Sequence, residues 1–114
     1  MVVRSNEQLR GVLQRDRQRL KGAIVQHPVL EREPAGYGNH AADDATDVSD
    51  QAANITLLQS LRRHLEEVEA ALGRFEHGTY GRCQRCGERI EWARLEAHPQ
   101  AALCMSCQRR HETR

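Results

Sequence analysis

Apolar residues recur at helical spacing in two stretches of this chain. In the first, Leu9, Val12, Leu13, Leu20 and Ile24 share one face, with Asp16, Arg17 and Arg19 among the polar positions. Ser5, three residues ahead of Gln8, forms a capping-box pattern that opens a helix over residues 5–26. Such a helix is roughly 33 Å long at 1.5 Å per residue. Pro28 limits or kinks it, and Pro34, Gly36 and Gly38 mark a turn. In the second stretch, Ala45, Val48, Ala52, Ile55, Leu58, Leu61, Leu65, Val68, Leu72 and Phe75 step by three and four, close to a coiled-coil seam. One step near Leu58 breaks the alternation. The pattern predicts a second helix of roughly 45 Å, ending before the Gly78-Thr79-Tyr80-Gly81 turn. Neither stripe is broad enough to stand alone, so the two helices are expected to pack antiparallel as a hairpin. Residues 34–47 then form its far tip, and the last third of the chain sits at its base.

Composition supports a thin body. Of 114 residues, 39% are hydrophobic and 29% charged, and one Phe, one Trp and two Tyr cannot fill a thick core. An elongated helical arm with a small stapled module suits these proportions. No apolar run approaches the 18 or so residues that would span a bilayer, so no membrane partner is expected. The opening MVVRSNEQLR carries no apolar leader segment, which points to a cytoplasmic protein. The net charge of +1 conceals an asymmetry: residues 1–33 carry +3, residues 34–76 carry −5 and residues 77–114 carry +3. From Glu33 through Leu61 there is no Lys or Arg. An acidic arm between mildly basic ends argues against direct DNA contact, because a phosphate-binding surface needs clustered cations.

The chemistry lies in four cysteines. Cys83, Cys86, Cys104 and Cys107 read C-x2-C-x17-C-x2-C, the spacing of a four-thiolate zinc site. Each pair can occupy a tight knuckle, and two knuckles surround one Zn²⁺ tetrahedrally. Gly87 follows the first pair where a positive φ helps the loop turn beneath the metal. Two disulfides are the alternative, and a reducing compartment argues against them. With four cysteine ligands the shell is closed to water and substrate, so this zinc is structural.

The tip has the second unusual composition. Asp43, Asp44, Asp47 and Asp50 crowd the start of the second helix with no basic neighbour. Aspartate suits an N-cap and a first helical turn, so helix chemistry and an acidic contact surface both remain open. A metal site built from His40 and these aspartates is a weaker alternative. Arg82, Arg85, Arg89 and Arg94 around the finger, with Arg109 and Arg110 after it, read first as ordinary solvated charge. Trp92 is expected to cover the metal module. His27, His64, His77, His98 and His111 share no ligand spacing, and His98-Pro99 reads as a turn. No nucleophile–base pair or phosphate-binding glycine loop is present, so the chain is not read as an enzyme, and no small-molecule substrate is evident.

Gly78-Thr79-Tyr80-Gly81-x-Cys83-x-x-Cys86-Gly87-x-x-Ile90, with Arg94-Leu95-x-Ala97-x-Pro99-x-Ala101-x-x-Cys104-x-x-Cys107, resembles the DksA/TraR zinc-finger proteins of bacteria. The likeness runs from about Leu65 to Gln108. It implies a finger at the base of a helical hairpin. In members that act on transcription, it implies an arm entering the secondary channel of RNA polymerase. Their tip pattern, Asp-x-x-Asp-x-Ala, is met here by His40-x-x-Asp43-x-Ala45, with histidine in place of the first acid. Asn39-His40-Ala41-Ala42-Asp43 also resembles the Asn-His-Pro-Ala-Asp tip of a branch found in Gram-positive bacteria.

The expectation is therefore a mainly α protein: an antiparallel helical hairpin over residues 1–77 and a C4 zinc-finger module with a C-terminal helix over 78–114. Cys83, Cys86, Cys104 and Cys107 would hold one structural Zn²⁺. Asp43, Asp44, Ala45 and Asp47 would meet RNA polymerase in a transcription regulator. A stress-related adaptor on the same scaffold and a DNA-binding zinc finger are the alternative functions.

Overall fold

The structure, a computed structural model, describes residues 5–27 and 45–113. Among these residues it is helical, with four helices and no extended strand: α1 (Asn6–Val25), α2 (Ala45–Glu76), α3 (Trp92–Ala97) and α4 (Met105–Glu112). The Ser5 hydroxyl accepts from the Gln8 amide at 3.2 Å and satisfies one of the four amides that open α1 without a partner. The helix stops at Val25, ahead of Pro28, and Gln26 closes it by donating to the Gly22 carbonyl.

α2 ends in a Schellman motif. The Thr79 amide returns to the Arg74 carbonyl (2.9 Å) and the Gly78 amide to the Phe75 carbonyl (3.3 Å). Gly78 takes φ 73° there, a left-handed conformation that costs glycine nothing and strains any residue with a Cβ.

The two long helices lie antiparallel. The Arg10 guanidinium sits 5.7 Å from the centre of the Phe75 ring, and Lys21 pairs with Glu69 at 3.9 Å, so contacts advance along α1 as they retreat along α2. Leu13 and Leu20 pack with Val68, Ala71 and Leu72, flanked by Leu61, Leu65, Phe75 and Tyr80. This is the seam the sequence predicts, with two differences. Ala71, outside the stripe, is fully buried because only a small side chain lets the helices approach there. Ile55, inside the stripe, is 45% exposed. α1 ends at Val25.

A second cluster joins arm to base. Leu9 buries its side chain among Cys83, Ile90, Leu95, Cys104 and Cys107, with Phe75, Tyr80 and Leu103 against it. The first turns of α1 thus form one wall of the cysteine module. No helix among the described residues is long and apolar enough to cross a membrane.

Candidate metal centre

Each cysteine pair sits on a loop whose geometry is fixed by backbone hydrogen bonds. After the α2 cap, a short antiparallel ribbon forms, with Arg82 opposite Arg89 in a single bridge. The Cys83 amide donates to the Glu88 carbonyl (2.7 Å), and the Ile90 amide to the Gly81 carbonyl (2.8 Å). Between them the chain turns through Cys86 and Gly87. The Gly87 amide closes back on the Cys83 carbonyl at 2.9 Å, with Gly87 at φ 80° as its position after the first pair predicts. The Arg85 amide points at the Cys83 sulfur, 3.4 Å away. The second pair uses helix geometry instead: Cys104 is the N-cap of α4 and Cys107 lies in its first turn, so both sulfurs face the ribbon.

The two halves are held together by one loop. Every carbonyl from Pro99 to Leu103 accepts a hydrogen bond from outside the loop. The Tyr80 hydroxyl donates to Pro99 (2.8 Å), and the Arg74 guanidinium spans Gln100 (3.4 Å) and Ala101 (3.3 Å). The Gln84 amide donates to Ala102 (2.8 Å) and Arg94 Nε to Leu103 (2.8 Å). Tyr80 also stacks on Phe75, with ring centres 3.9 Å apart. Burial pushes its phenol up to about 12, the nearby Arg74 charge pulling the other way. The expected turn at His98-Pro99 is present, with the Ala101 amide returning to the His98 carbonyl at 2.9 Å.

The result is a compact set of sulfurs. One from each of the four cysteines lies within 4.8 Å of all the others, and Cys86 Sγ is 3.9 Å from Cys104 Sγ. Thiolates arranged tetrahedrally at ~2.3 Å from Zn²⁺ stand about 3.8 Å apart, so the spacing suits that ion. The electrostatics agree. Burial raises the Cys83 thiol, but the amides of Cys104, Cys86 and Arg85 outweigh it and hold the group down to about 6. Burial and the three neighbouring sulfurs push Cys107 up to about 12. Four sulfurs this close do not ionise together unless a cation balances them, and a dication supplies that charge. Cys83, Cys104 and Cys107 are buried and Cys86 is exposed at the rim. None of the four is paired in a disulfide.

Comparisons with known proteins agree with this geometry. Residues 78–112 match the prokaryotic dksA/traR C4-type zinc finger. The chain resembles the RNA polymerase-binding transcription factor DksA of Caulobacter vibrioides, 41% identical over 78 residues that cover 67% of this chain and 55% of that protein. It also resembles general stress protein 16O of Bacillus subtilis, 41% identical over 73 residues, covering 64% of this chain and 45% of that one. The chain thus spans about half the length of these curated relatives. Along nearly its whole length it superposes on transcription factor DksA2 from Pseudomonas aeruginosa, with TM-score 0.76 and 31% identity, covering 95% of this chain and 83% of that one. The chain belongs to the DksA/TraR family. As in a C4-type finger of that family, the four clustered cysteines support one structural zinc ion.

Of the other residues singled out in the sequence, Asp43 and Asp44 lie outside the described residues, whereas Ala45 and Asp47 lie in the first turn of α2. Trp92 is 38% exposed and lines a groove beside Ile90 and Leu95 of the metal module, whose interior Leu9, Ile90 and Leu95 fill. Arg74 escaped sequence reading altogether. Its one signal is a cation in the last turn of a helix, which the helix dipole favours.

Proposed function

We propose that this DksA/TraR protein is a cytoplasmic regulator of transcription that binds bacterial RNA polymerase through its secondary channel. The arm's acidic tip would lie near the active site. The superposition on transcription factor DksA2 over 95% of the chain carries this reading, because it covers the arm and its setting on the finger as well as the finger itself. The name of the Caulobacter relative adds the polymerase as the partner class. Physical chemistry is consistent. A narrow rod with −5 over residues 34–76 suits a passage lined by basic groups, with an attraction that salt weakens.

In this reading residues 1–77 form the arm and residues 78–114 the finger. Cys83, Cys86, Cys104 and Cys107 bind one zinc ion that sets the arm's base. Asp43 acts at the deepest point, Asp44 and Ala45 beside it, and Asp47 adds charge. The chain is not an enzyme and takes no small-molecule substrate, and its acidic arm argues against direct DNA contact.

In vitro transcription with purified bacterial polymerase tests the reading, wild type against Asp43→Asn. Asn caps a helix about as well as Asp, so a mere capping role leaves activity intact. The tip reading requires transcriptional effect to be lost while polymerase binding is kept. Equal activity from both bound proteins refutes the tip's role. Absence of binding by the wild type favours the second reading, a stress-related adaptor, to which the similarity with general stress protein 16O lends support.

A further inference from the structure

Arg82 and Arg89 face each other across the only bridge of the ribbon among the described residues, and like charges set opposite one another are destabilising. Neither has a carboxylate within ion-pair distance among those residues. The one polar contact of the Arg82 guanidinium there is a 3.4 Å bond to the Gly87 carbonyl. Both line a groove of about 490 Å³ between the ribbon and the start of α1. Its apolar wall is Tyr80, Ile90, Leu95 and the half-open indole of Trp92. The single carboxylate in the groove, Glu91, is engaged elsewhere. It accepts from the Met105 amide at 3.3 Å, and hydrogen bonding from its own amide and that of Met105 lowers its pKa, helped by the charges of Arg94 and Arg109.

We propose that this groove docks an acidic segment of a partner protein, its carboxylates on Arg82 and Arg89 and an apolar side chain against Trp92. Guanidinium forks match carboxylates in two-point geometry, and a tryptophan beside arginines is the composition of an interface anchor. A phosphate ligand fits less well. Phosphate sites draw on free backbone amides, and three of the lining residues, Gly78, Arg82 and Ile90, already donate theirs to the Phe75, Thr79 and Gly81 carbonyls. The site is separate from the acidic arm and opposite in sign, so it stands whether or not the arm enters a polymerase channel.

Trp92 is the only tryptophan of the chain, which makes its emission a direct report on the groove. The zinc-loaded full-length protein is titrated with a short tryptophan-free peptide that sets two leucines among aspartates. The expected result is a saturable change in emission, weakened at least tenfold by Arg82→Ala combined with Arg89→Ala. It should be little altered by Arg85→Ala, on the exposed turn outside the groove. Circular dichroism and zinc content confirm that the variants fold. Any of four results overturns the proposal: no response at millimolar peptide, an equal response to the peptide with asparagine for aspartate, indifference to the double substitution, or tighter binding of oligouridylate or a nucleoside triphosphate.

Discussion

Leu9→Ala is the substitution that most directly asks whether the arm and the metal module are one folding unit. Leu9 is fully buried among Ile90, Leu95 and three of the four cysteines, yet it belongs to the arm. Truncation removes about three carbons, worth roughly 2.4 kcal/mol at ~0.8 kcal/mol each. The cavity left behind brings the total to about 3–4 kcal/mol. At about 4 °C per kcal/mol for a chain of this size, melting should fall by roughly 12–16 °C. Leu20→Ala is the matched control: Leu20 is 1% exposed and packs on Val68 and Leu72, remote from the sulfurs. Both variants should lose similar stability by thermal circular dichroism. Only Leu9→Ala should also speed zinc transfer to a chromogenic chelator, by about tenfold, equivalent to 1.4 kcal/mol of lost protection. Equal release rates from the two variants, or a melting shift of Leu9→Ala below about 4 °C, would refute the coupling.

Cys104→Ser should release the metal and melt residues 78–110 while α1 and α2 keep much of their helical signal, since metal binding in such modules is largely folding energy. One zinc per chain found in that variant by elemental analysis would contradict it. Tyr80→Phe removes the bond to the Pro99 carbonyl and should cost about 0.5–1.5 kcal/mol in a denaturant titration; unchanged stability would mean the loop is held without it. Tyr80 also predicts an alkaline limit. Its folded pKa of about 12 lies above the ordinary value near 10, so its contribution is fully present below pH 10 and is lost as pH rises towards 12. Absorbance at 295 nm should show that late ionisation, and Tyr80→Phe should remove it.

The hairpin was legible because Leu9, Leu13 and Leu20 and the run from Leu58 to Phe75 keep helical spacing over many turns, and helix pairing buries what spacing aligns. Ile55 obeyed the same period yet is 45% exposed, since spacing aligns a side chain with the stripe and does not say how far the burying partner extends. The cysteines were legible for a different reason: two C-x2-C pairs admit few geometries, and Gly87 marks the turn between ribbon strands. Arg74 and Ala71 were not legible. Arg74 meets carbonyls 26 and 27 residues away, a separation that no local pattern carries. The part-exposure of Trp92 was not legible either, because a lone tryptophan in a sequence does not say how much of its ring neighbours will cover.

The loop from Pro99 to Leu103 is gripped through its main chain, and that has a consequence for how such a protein can change over time. Carbonyls are supplied by every amino acid, so Gln100 and Ala102 are free to drift with little effect on the setting of the finger. The donors are not interchangeable in this way: Arg74, Tyr80 and Arg94 each contribute a side-chain hydrogen that few substitutes could deliver at the same reach. Heritable constraint should therefore fall on the residues that point at the loop and spare those that compose it. A comparison of descendants should find Gln100 and Ala102 varying while Arg74, Tyr80 and Arg94 stay constant.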